Sequence, residues 1–147
     1  MPERNPAEND GAWPVPSDAA ISAFIQKISF NGDGLVAAIA QQDESGEVLM
    51  MAWMSAEAVK ETLSTGRVCY WSRSRQALWR KGETSGQVQR LIDARVDCDG
   101  DTLLLIVDQK GVACHTGRRS CFFQAIRNDA VTAIMDVEIS PEDLYHK

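Results

Sequence analysis

The sequence contains few cysteines and histidines and fewer basic than acidic residues, and these shortages argue against several classes of protein. It holds four cysteines and two histidines in 147 residues, and its 15 lysines and arginines are outnumbered by 21 aspartates and glutamates. The resulting formal charge of -6 speaks against general binding to nucleic acid or to anionic membranes, which needs a basic surface. No apolar run approaches the ~20 residues of a membrane span. We therefore expect neither nucleic acid nor membrane as a partner.

The N-terminal segment lacks the basic and apolar regions of a secretory signal peptide. Residues 1–16 hold four of the five prolines, and we expect them to form a mobile tail ahead of a single domain at residues 17–147. Four cysteines without a secretory signal indicate metal binding or catalysis instead of disulfides. The sequence thus predicts a cytoplasmic protein.

Helix and strand signals predict an α+β fold. Ser17 can cap a helix to about Lys27, Ser55 and Gly66 delimit a second helix, and Pro141 opens a short terminal one. The segments with strand signals are residues 35–40, 47–54, 67–73, 88–98, 102–109, 112–115, 120–126 and 131–139, and we expect about seven of them to form strands. Because these strands follow one another through short turns, we expect a mostly antiparallel, bent or barrel-like sheet with two or three short helices.

Carboxylates and a thiol alternate in Asp97-Cys98-Asp99-Gly100-Asp101. If this stretch is extended, the three carboxylates share one face and the thiol of Cys98 lies on the other. Carboxylates suit Mg²⁺ and thiolates suit Zn²⁺. An EF-hand does not fit, because the glycine comes fourth instead of sixth and a strand follows. The alternatives are a magnesium site and a solvated acidic turn.

Two further cysteines extend the candidate metal site. Cys114 and Cys121 follow Cys98 after 15 and then 6 intervening residues, which is not the spacing of a zinc finger. Three thiolates with an open fourth position describe a catalytic zinc site that activates water. The alternative is three buried strand cysteines. Cys69, inside the apolar run from Val68 to Trp71, is instead expected to act as a small hydrophobic side chain.

Polar residues around these cysteines suggest further roles. His115 is a candidate acid or base, with a hydrogen-bonded structural histidine as the alternative. Aromatic side chains beside serines and arginines could stack a base and hold phosphates, whereas an amphipathic strand and polar loop is the plainer interpretation. The candidate substrate-binding residues are Trp71, Ser72, Arg73, Ser74, Arg75, Lys81, Glu83, Ser85, Thr116, Arg118 and Arg119.

Four motifs together resemble the phosphoribosyl-AMP cyclohydrolase family of histidine biosynthesis, over about residues 30–123. The motifs are Trp71-Ser72-Arg73-Ser74-Arg75, Leu78-Trp79-x-Lys81-Gly82-Glu83-x-Ser85-Gly86, Asp97-Cys98-Asp99-x-Asp101, and Cys114-His115-Thr116-Gly117 with Ser120-Cys121-Phe122. The resemblance implies an enzyme, a cyclic amidine hydrolase. Zinc-activated water would open the N1–C6 bond of the adenine ring of N1-(5-phosphoribosyl)-AMP, giving the phosphoribosyl-formimino-aminoimidazole carboxamide ribotide.

The resemblance also implies cofactors and an assembly. Its magnesium ligands fall on Asp97, Asp99 and Asp101. Its zinc ligands, with one zinc per subunit, fall on Cys98, Cys114 and Cys121. The implied homodimer shares its zinc sites between subunits, which would account for the unusual spacing of the cysteines.

Two rival functions remain to be compared with this one. A zinc deaminase also adds water to a base, but its signature pairs His-x-Glu with Pro-Cys-x-x-Cys, and the sequence has neither. A non-enzymatic dimerisation module with structural zinc would need four protein ligands, and it would not need the aspartates or His115.

Overall fold

The computed structural model describes residues 13–145, so residues 1–12 of the expected tail lie outside the described part of the chain. The described part holds three helices and eight strands. In chain order they are α1 Asp18–Gln26, β1 Leu35–Gln42, β2 Val48–Ser55, α2 Ala56–Thr65, β3 Cys69–Ser72, β4 Ala77–Arg80, β5 Gln89–Val96, β6 Thr102–Gln109, β7 Gln124–Arg127, β8 Ala130–Ala133 and α3 Pro141–Tyr145.

Both longer helices begin where the sequence predicts, because a serine caps each of them. The Ser17 hydroxyl accepts a hydrogen bond from the amide of Ala20, and the Ser55 hydroxyl accepts one from Ala58, both at 3.1 Å. Helix α2 ends at Gly66, whose φ of 78° is the left-handed conformation that glycine adopts without strain. Local capping therefore sets the bounds of these helices.

Six strands form one curled sheet in the order β4-β3-β2-β1-β6-β5. Every neighbouring pair is antiparallel except β1 and β6, which run parallel. Although β3 and β5 are not neighbours in this order, the segment just before β3 meets the start of β5. The amide of Val68 donates to the Gln89 carbonyl at 3.1 Å, and that of Leu91 donates to the Gly66 carbonyl at 2.7 Å. The predicted mostly antiparallel, barrel-like sheet is thus confirmed.

The two faces of the sheet differ in burial. The inner face packs beneath α1 and α2 and carries the core, with Tyr70, Leu103 and Leu105 among its buried side chains. The strand register places further apolar side chains on the opposite face, here called the outer face, and most of them are not buried by the rest of residues 13–145. The unburied ones include Ala37, Ile39, Met51, Trp53, Trp71, Leu104 and Ile106.

Several segments differ from the sequence-based expectations. Residues 97–101 form a turn between β5 and β6 instead of an extended stretch, and residues 112–115 are irregular. Strand β4 was not expected. The last two strands are shorter than expected and form a separate hairpin. Trp13 packs against the core, and its indole N–H donates to the Leu63 carbonyl at 2.8 Å. Among residues 13–145, no helix combines the length and apolar character needed to cross a membrane.

Candidate functional site

Residues 112–121, here called the thiol loop, bring two of the predicted zinc ligands together. The loop follows β6 and folds back on itself, because the amides of Ala113 and Cys114 donate to the carbonyls of Arg119 and Arg118 at 3.0 and 3.1 Å. Its far end is tied to β2, where the amide of Cys121 donates to the Leu49 carbonyl at 2.7 Å. These bonds place Cys114 and Cys121 near each other.

The thiols of Cys114 and Cys121 lie close enough for Cys114 to affect the ionisation of Cys121. The Thr116 hydroxyl adds a contact of 3.1 Å to the sulfur of Cys114. Burial, with the nearby Cys114 adding to it, raises the pKa of the Cys121 thiol to about 12, and the positive charge of Lys81 opposes part of this rise. Cys121 is exposed as a whole residue, so this burial concerns its sulfur, which meets Cys114. Two adjacent thiols are suited to a soft cation such as Zn²⁺.

Residues 97–101, here called the aspartate turn, hold the predicted magnesium ligands. The amide of Asp101 donates to the Asp97 carboxylate at 3.0 Å. The hydrogen bond and the negative charge of Asp97 raise the pKa of Asp101. Partial burial acts to raise the pKa of Asp97, but hydrogen bonds from Asp101 and from the turn amides outweigh it and lower that pKa. The turn therefore brings two carboxyl groups together.

Cys98 is in the aspartate turn, apart from the other two cysteines. It is exposed, and its thiol lies 3.8 Å from the carboxylate of Asp99. The aspartate turn precedes β6 and the thiol loop follows it, so the two lie at opposite ends of an eight-residue strand that spans about 25 Å. Within residues 13–145, no three His, Cys, Asp or Glu side chains are close enough to bind one metal ion. A single chain thus supplies only two of the three expected zinc ligands at one place.

The remaining polar residues of the thiol loop have different surroundings. His115 is exposed. The Arg118 guanidinium donates to the Met135 carbonyl at 2.9 Å and lies 4.1 Å from the centre of the Phe123 ring. Arg119 donates to the Glu47 carboxylate at 2.7 Å. Both arginines therefore have partners within the chain.

Residues 73–76, here called the arginine turn, connect β3 to β4. The Ser72 hydroxyl lies 3.3 Å from that of Ser74 and accepts a hydrogen bond from the amide of Arg75 at 3.3 Å. The Arg73 guanidinium lies 5.2 Å from the centre of the Trp53 ring, and Trp53 is paired with Trp71 across β2 and β3. Exposed arginines beside two half-buried indole rings form a surface suited to a base and a phosphate.

Trp53 was not among the residues singled out in the sequence. It lies in a strand that is apolar on both faces, which favours a core residue over a site residue. The pairing with Trp71, which is fixed by the fold, is what gives Trp53 its place beside Arg73.

The motif between β4 and β5 has two buried polar side chains. Lys81 is buried, and its amino group donates to the Ala113 carbonyl at 2.9 Å. Burial lowers the pKa of Lys81, whereas Cys121 and Cys114 act to raise it. Ser85 is buried as well, and its hydroxyl accepts a hydrogen bond from the amide of Gln87 at 3.2 Å. Glu83 is exposed.

Comparisons with known proteins give a consistent result. The family model described as phosphoribosyl-AMP cyclohydrolase matches residues 50–123. A protein of that name from Paramagnetospirillum magneticum is 67% identical over 126 residues, which are 86% of this chain and 96% of the relative. Another from Rhodospirillum centenum is 61% identical over 88% of this chain and 97% of the relative. A Pseudomonas fluorescens protein named phosphoribosyl-AMP cyclohydrolase 2 is 61% identical, covering 84% of each chain.

Proposed function

This chain belongs to the phosphoribosyl-AMP cyclohydrolase family, enzymes of histidine biosynthesis, and on that premise we propose that it hydrolyses the N1–C6 bond of N1-(5-phosphoribosyl)-AMP. The product would be the phosphoribosyl-formimino-aminoimidazole carboxamide ribotide. The observation that carries the proposal is the thiol loop, where the paired thiols of Cys114 and Cys121 lie in one short segment with the exposed His115.

The proposed zinc site consists of Cys98, Cys114 and Cys121, with one zinc per subunit. Thiolates are the ligands that zinc prefers, and three of them leave a position open for water. When bound, zinc acts as a Lewis acid that lowers the pKa of water and so supplies a nucleophile at neutral pH. His115 is exposed beside Cys114 and would carry a proton, either from the attacking water or to the departing N1.

The proposed assembly is a homodimer in which Cys98 of one subunit joins Cys114 and Cys121 of the other. Two observations support it. Cys98 lies at the opposite end of β6 from the other two cysteines, so one chain leaves the site incomplete. The outer face presents several apolar side chains that the rest of residues 13–145 leave unburied, and uncovered apolar patches of this kind mark protein interfaces.

The aspartate turn is proposed to hold Mg²⁺ through Asp97, Asp99 and Asp101. Carboxylate oxygens are the ligands of this hard cation, and the contact between Asp97 and Asp101 brings together two groups that a cation would stabilise. In this position the ion would hold a phosphate or ribose of the substrate. No part of the hydrolytic step is assigned to it.

The arginine turn is the proposed substrate-holding surface. Arg73 and Arg75 are exposed and can donate to a phosphate, while Trp71 and the neighbouring Trp53 offer ring faces to a base. Ser72 and Ser74 shape the turn through their hydroxyl contact, and Thr116 and Glu83 remain candidates for ribose hydroxyls. Arg118 and Arg119 would have to leave their present partners to reach a phosphate.

Turnover of phosphoribosyl-AMP tests the proposal. We expect purified protein with Zn²⁺ and Mg²⁺ to give the ultraviolet change of ring opening, and His115→Ala to lower kcat by about 10²–10⁴-fold. Cys114→Ser should abolish turnover and zinc retention together. Ammonia release instead of ring opening would indicate a deaminase. Zinc-dependent folding without turnover would indicate a structural module.

The proposed location is the cytoplasm. The proposed zinc ligation by Cys98, Cys114 and Cys121 requires free thiols, because the thiolate is the ligand. Such thiols persist in a reducing compartment.

A further inference from the structure

Lys81 is in an unusual place for a residue expected to bind substrate. Its side chain is only 6% exposed, whereas lysine almost never becomes this buried unless its charge is paired or hydrogen-bonded. The partner is the Ala113 carbonyl, 2.9 Å from the amino group, one residue before Cys114. The Trp79 ring, with its centre 5.6 Å away, lies on another side.

The segment that carries Lys81 is held against the start of the thiol loop at a second point. We call residues 81–88 the bracket. Gly82 has a φ of +85°, and a Cβ there would lie 2.5 Å from the amide nitrogen of Val88, so the bracket is closed tightly on itself. At its other end the side-chain oxygen of Gln87 accepts a hydrogen bond from the amide of Val112 at 3.0 Å. Two peptide groups ahead of Cys114, the one between Gly111 and Val112 and the one between Ala113 and Cys114, are therefore held by side chains of the bracket.

We propose that Lys81 is a positioning residue, whose buried amino group holds the Ala113 carbonyl and thereby keeps Cys114 beside Cys121, and that it does not contact the substrate. The thiol of Cys114 is connected to this bond through one peptide unit, so a shift at Ala113 moves the sulfur directly. This inference depends on the proposed function in one respect only, which is the role of Cys114 and Cys121 as metal ligands. Removal of groups that orient metal ligands typically costs about 10- to 100-fold in metal affinity or activity.

Hydrogen exchange in the metal-free full-length protein tests the positioning directly. In Lys81→Met, which keeps the apolar stem and loses the donor, amides of residues 112–121 should exchange about tenfold faster or more, because a buried bond is lost. Amides of α2 and β6 should keep their protection. Lys60→Met, at an exposed position of α2, is the matched control and should change nothing near the loop. Unchanged loop exchange, or an equal loss of protection in α2 and β6, would overturn the proposal.

Kinetics of the zinc-loaded enzyme separate positioning from substrate contact. Lys81→Met should lower kcat about 10- to 100-fold while KM for phosphoribosyl-AMP stays within about twofold, because bound substrate does not touch the amino group. A higher KM with unchanged kcat would contradict the proposal. If Lys81→Met does not fold, Lys81→Arg is the second variant, because it keeps the charge and the donors. The amides of the thiol loop should keep their protection in Lys81→Arg. Loss of protection throughout Lys81→Arg would also contradict the proposal.

The two proposals fail in different ways. If the wild-type protein does not turn over phosphoribosyl-AMP, the proposed function is wrong. Faster hydrogen exchange of the thiol-loop amides in metal-free Lys81→Met would still establish the positioning role. Conversely, normal turnover and zinc retention in Lys81→Met would leave the cyclohydrolase function intact and remove the role of Lys81.

Discussion

For the four cysteines, the adjacent residues in the sequence predict part of their burial and structural role. Cys69 stands in an apolar run that predicts a small hydrophobic role, and it is fully buried. Cys114 and Cys121 stand beside polar and turn-forming residues, and the structure brings their thiols together. The exposed position of Cys98 and the contact of Trp53 with Arg73 depend on distant strands, so no local pattern reveals them.

Cys69 gives a pH dependence of stability. Burial, with the nearby Glu61 adding to it, raises the pKa of Cys69 to about 12 from an ordinary value near 9. The unfolded chain therefore releases this proton first as pH rises. The stability that Cys69 contributes should be complete below pH 9 and fall by about 1.4 kcal/mol per pH unit between pH 9 and 12.

Urea unfolding of wild type and Cys69→Ala from pH 8 to 11 measures this effect. Because the other titrating groups are common to both proteins, the difference in unfolding free energy isolates Cys69, and it should shift in favour of Cys69→Ala as pH rises. A difference that stays constant over this range would show that the thiol ionises equally in both states.

At the scale of elements, the structure follows the sequence wherever the determining contacts are local. Helix α2 begins at the Ser55 cap and ends at Gly66, as predicted. From the sequence, the aspartate turn could be an extended stretch or an acidic turn, and a distant contact adds to the local hydrogen bonds that form the turn. The Gly100 carbonyl accepts from the amide of Ser29 at 2.7 Å, so the turn is held against the chain just after α1. That pairing follows from the fold and has no signal within residues 97–101.

The end of α2 gives a stability prediction with two internal controls. Gly66 has a positive φ, and a Cβ there would meet the side chain of Trp13. Gly66→Ala should therefore cost about 1 kcal/mol for its conformation and about 1–3 kcal/mol more for overpacking. Gly34→Ala, with a φ of +75° and open space, should show the conformational cost alone.

Gly32→Ala completes the series, because Gly32 lies in open space without a positive φ and its replacement should be nearly neutral. Thermal or urea unfolding of the three variants gives the comparison. If Gly66→Ala and Gly34→Ala lower the free energy of unfolding equally, Trp13 moves aside freely. The packing of Trp13 would then not stabilise this end of the helix.

At the scale of the whole molecule, the parallel pairing of β1 with β6 fixes the place of β6, the strand that lies between the proposed metal ligands. The sequence indicates a mostly antiparallel sheet but not which distant strands pair, because that choice depends on how the whole chain buries its inner face. The pairing sets β6 between β1 and β5. Strand β6 then separates Cys98, which precedes it, from Cys114 and Cys121, which follow it. A shared site is then a consequence of topology, provided that two copies meet with these ends together.

Complementation between inactive variants tests the shared site. Cys98→Ser and Cys114→Ser should each be inactive alone, but in a mixed dimer the first subunit supplies Cys114 and Cys121 while the second supplies Cys98. One of the two sites is then intact, and random exchange makes half of the dimers mixed, so activity should recover to about a quarter of the wild-type value in a two-fold symmetric dimer.

The pair Cys114→Ser and Cys121→Ser is the matched control for this experiment, because both changes fall on the same side of the shared site. Each mixed dimer then holds one altered ligand in both sites, and mixing should restore no activity. Recovery of activity in the mixture of Cys98→Ser with Cys114→Ser, together with no recovery in the control mixture, requires that the ligands come from two chains. Failure of both mixtures after verified subunit exchange would place a complete site within one chain, and the strand topology would then require a large rearrangement of the thiol loop toward the aspartate turn.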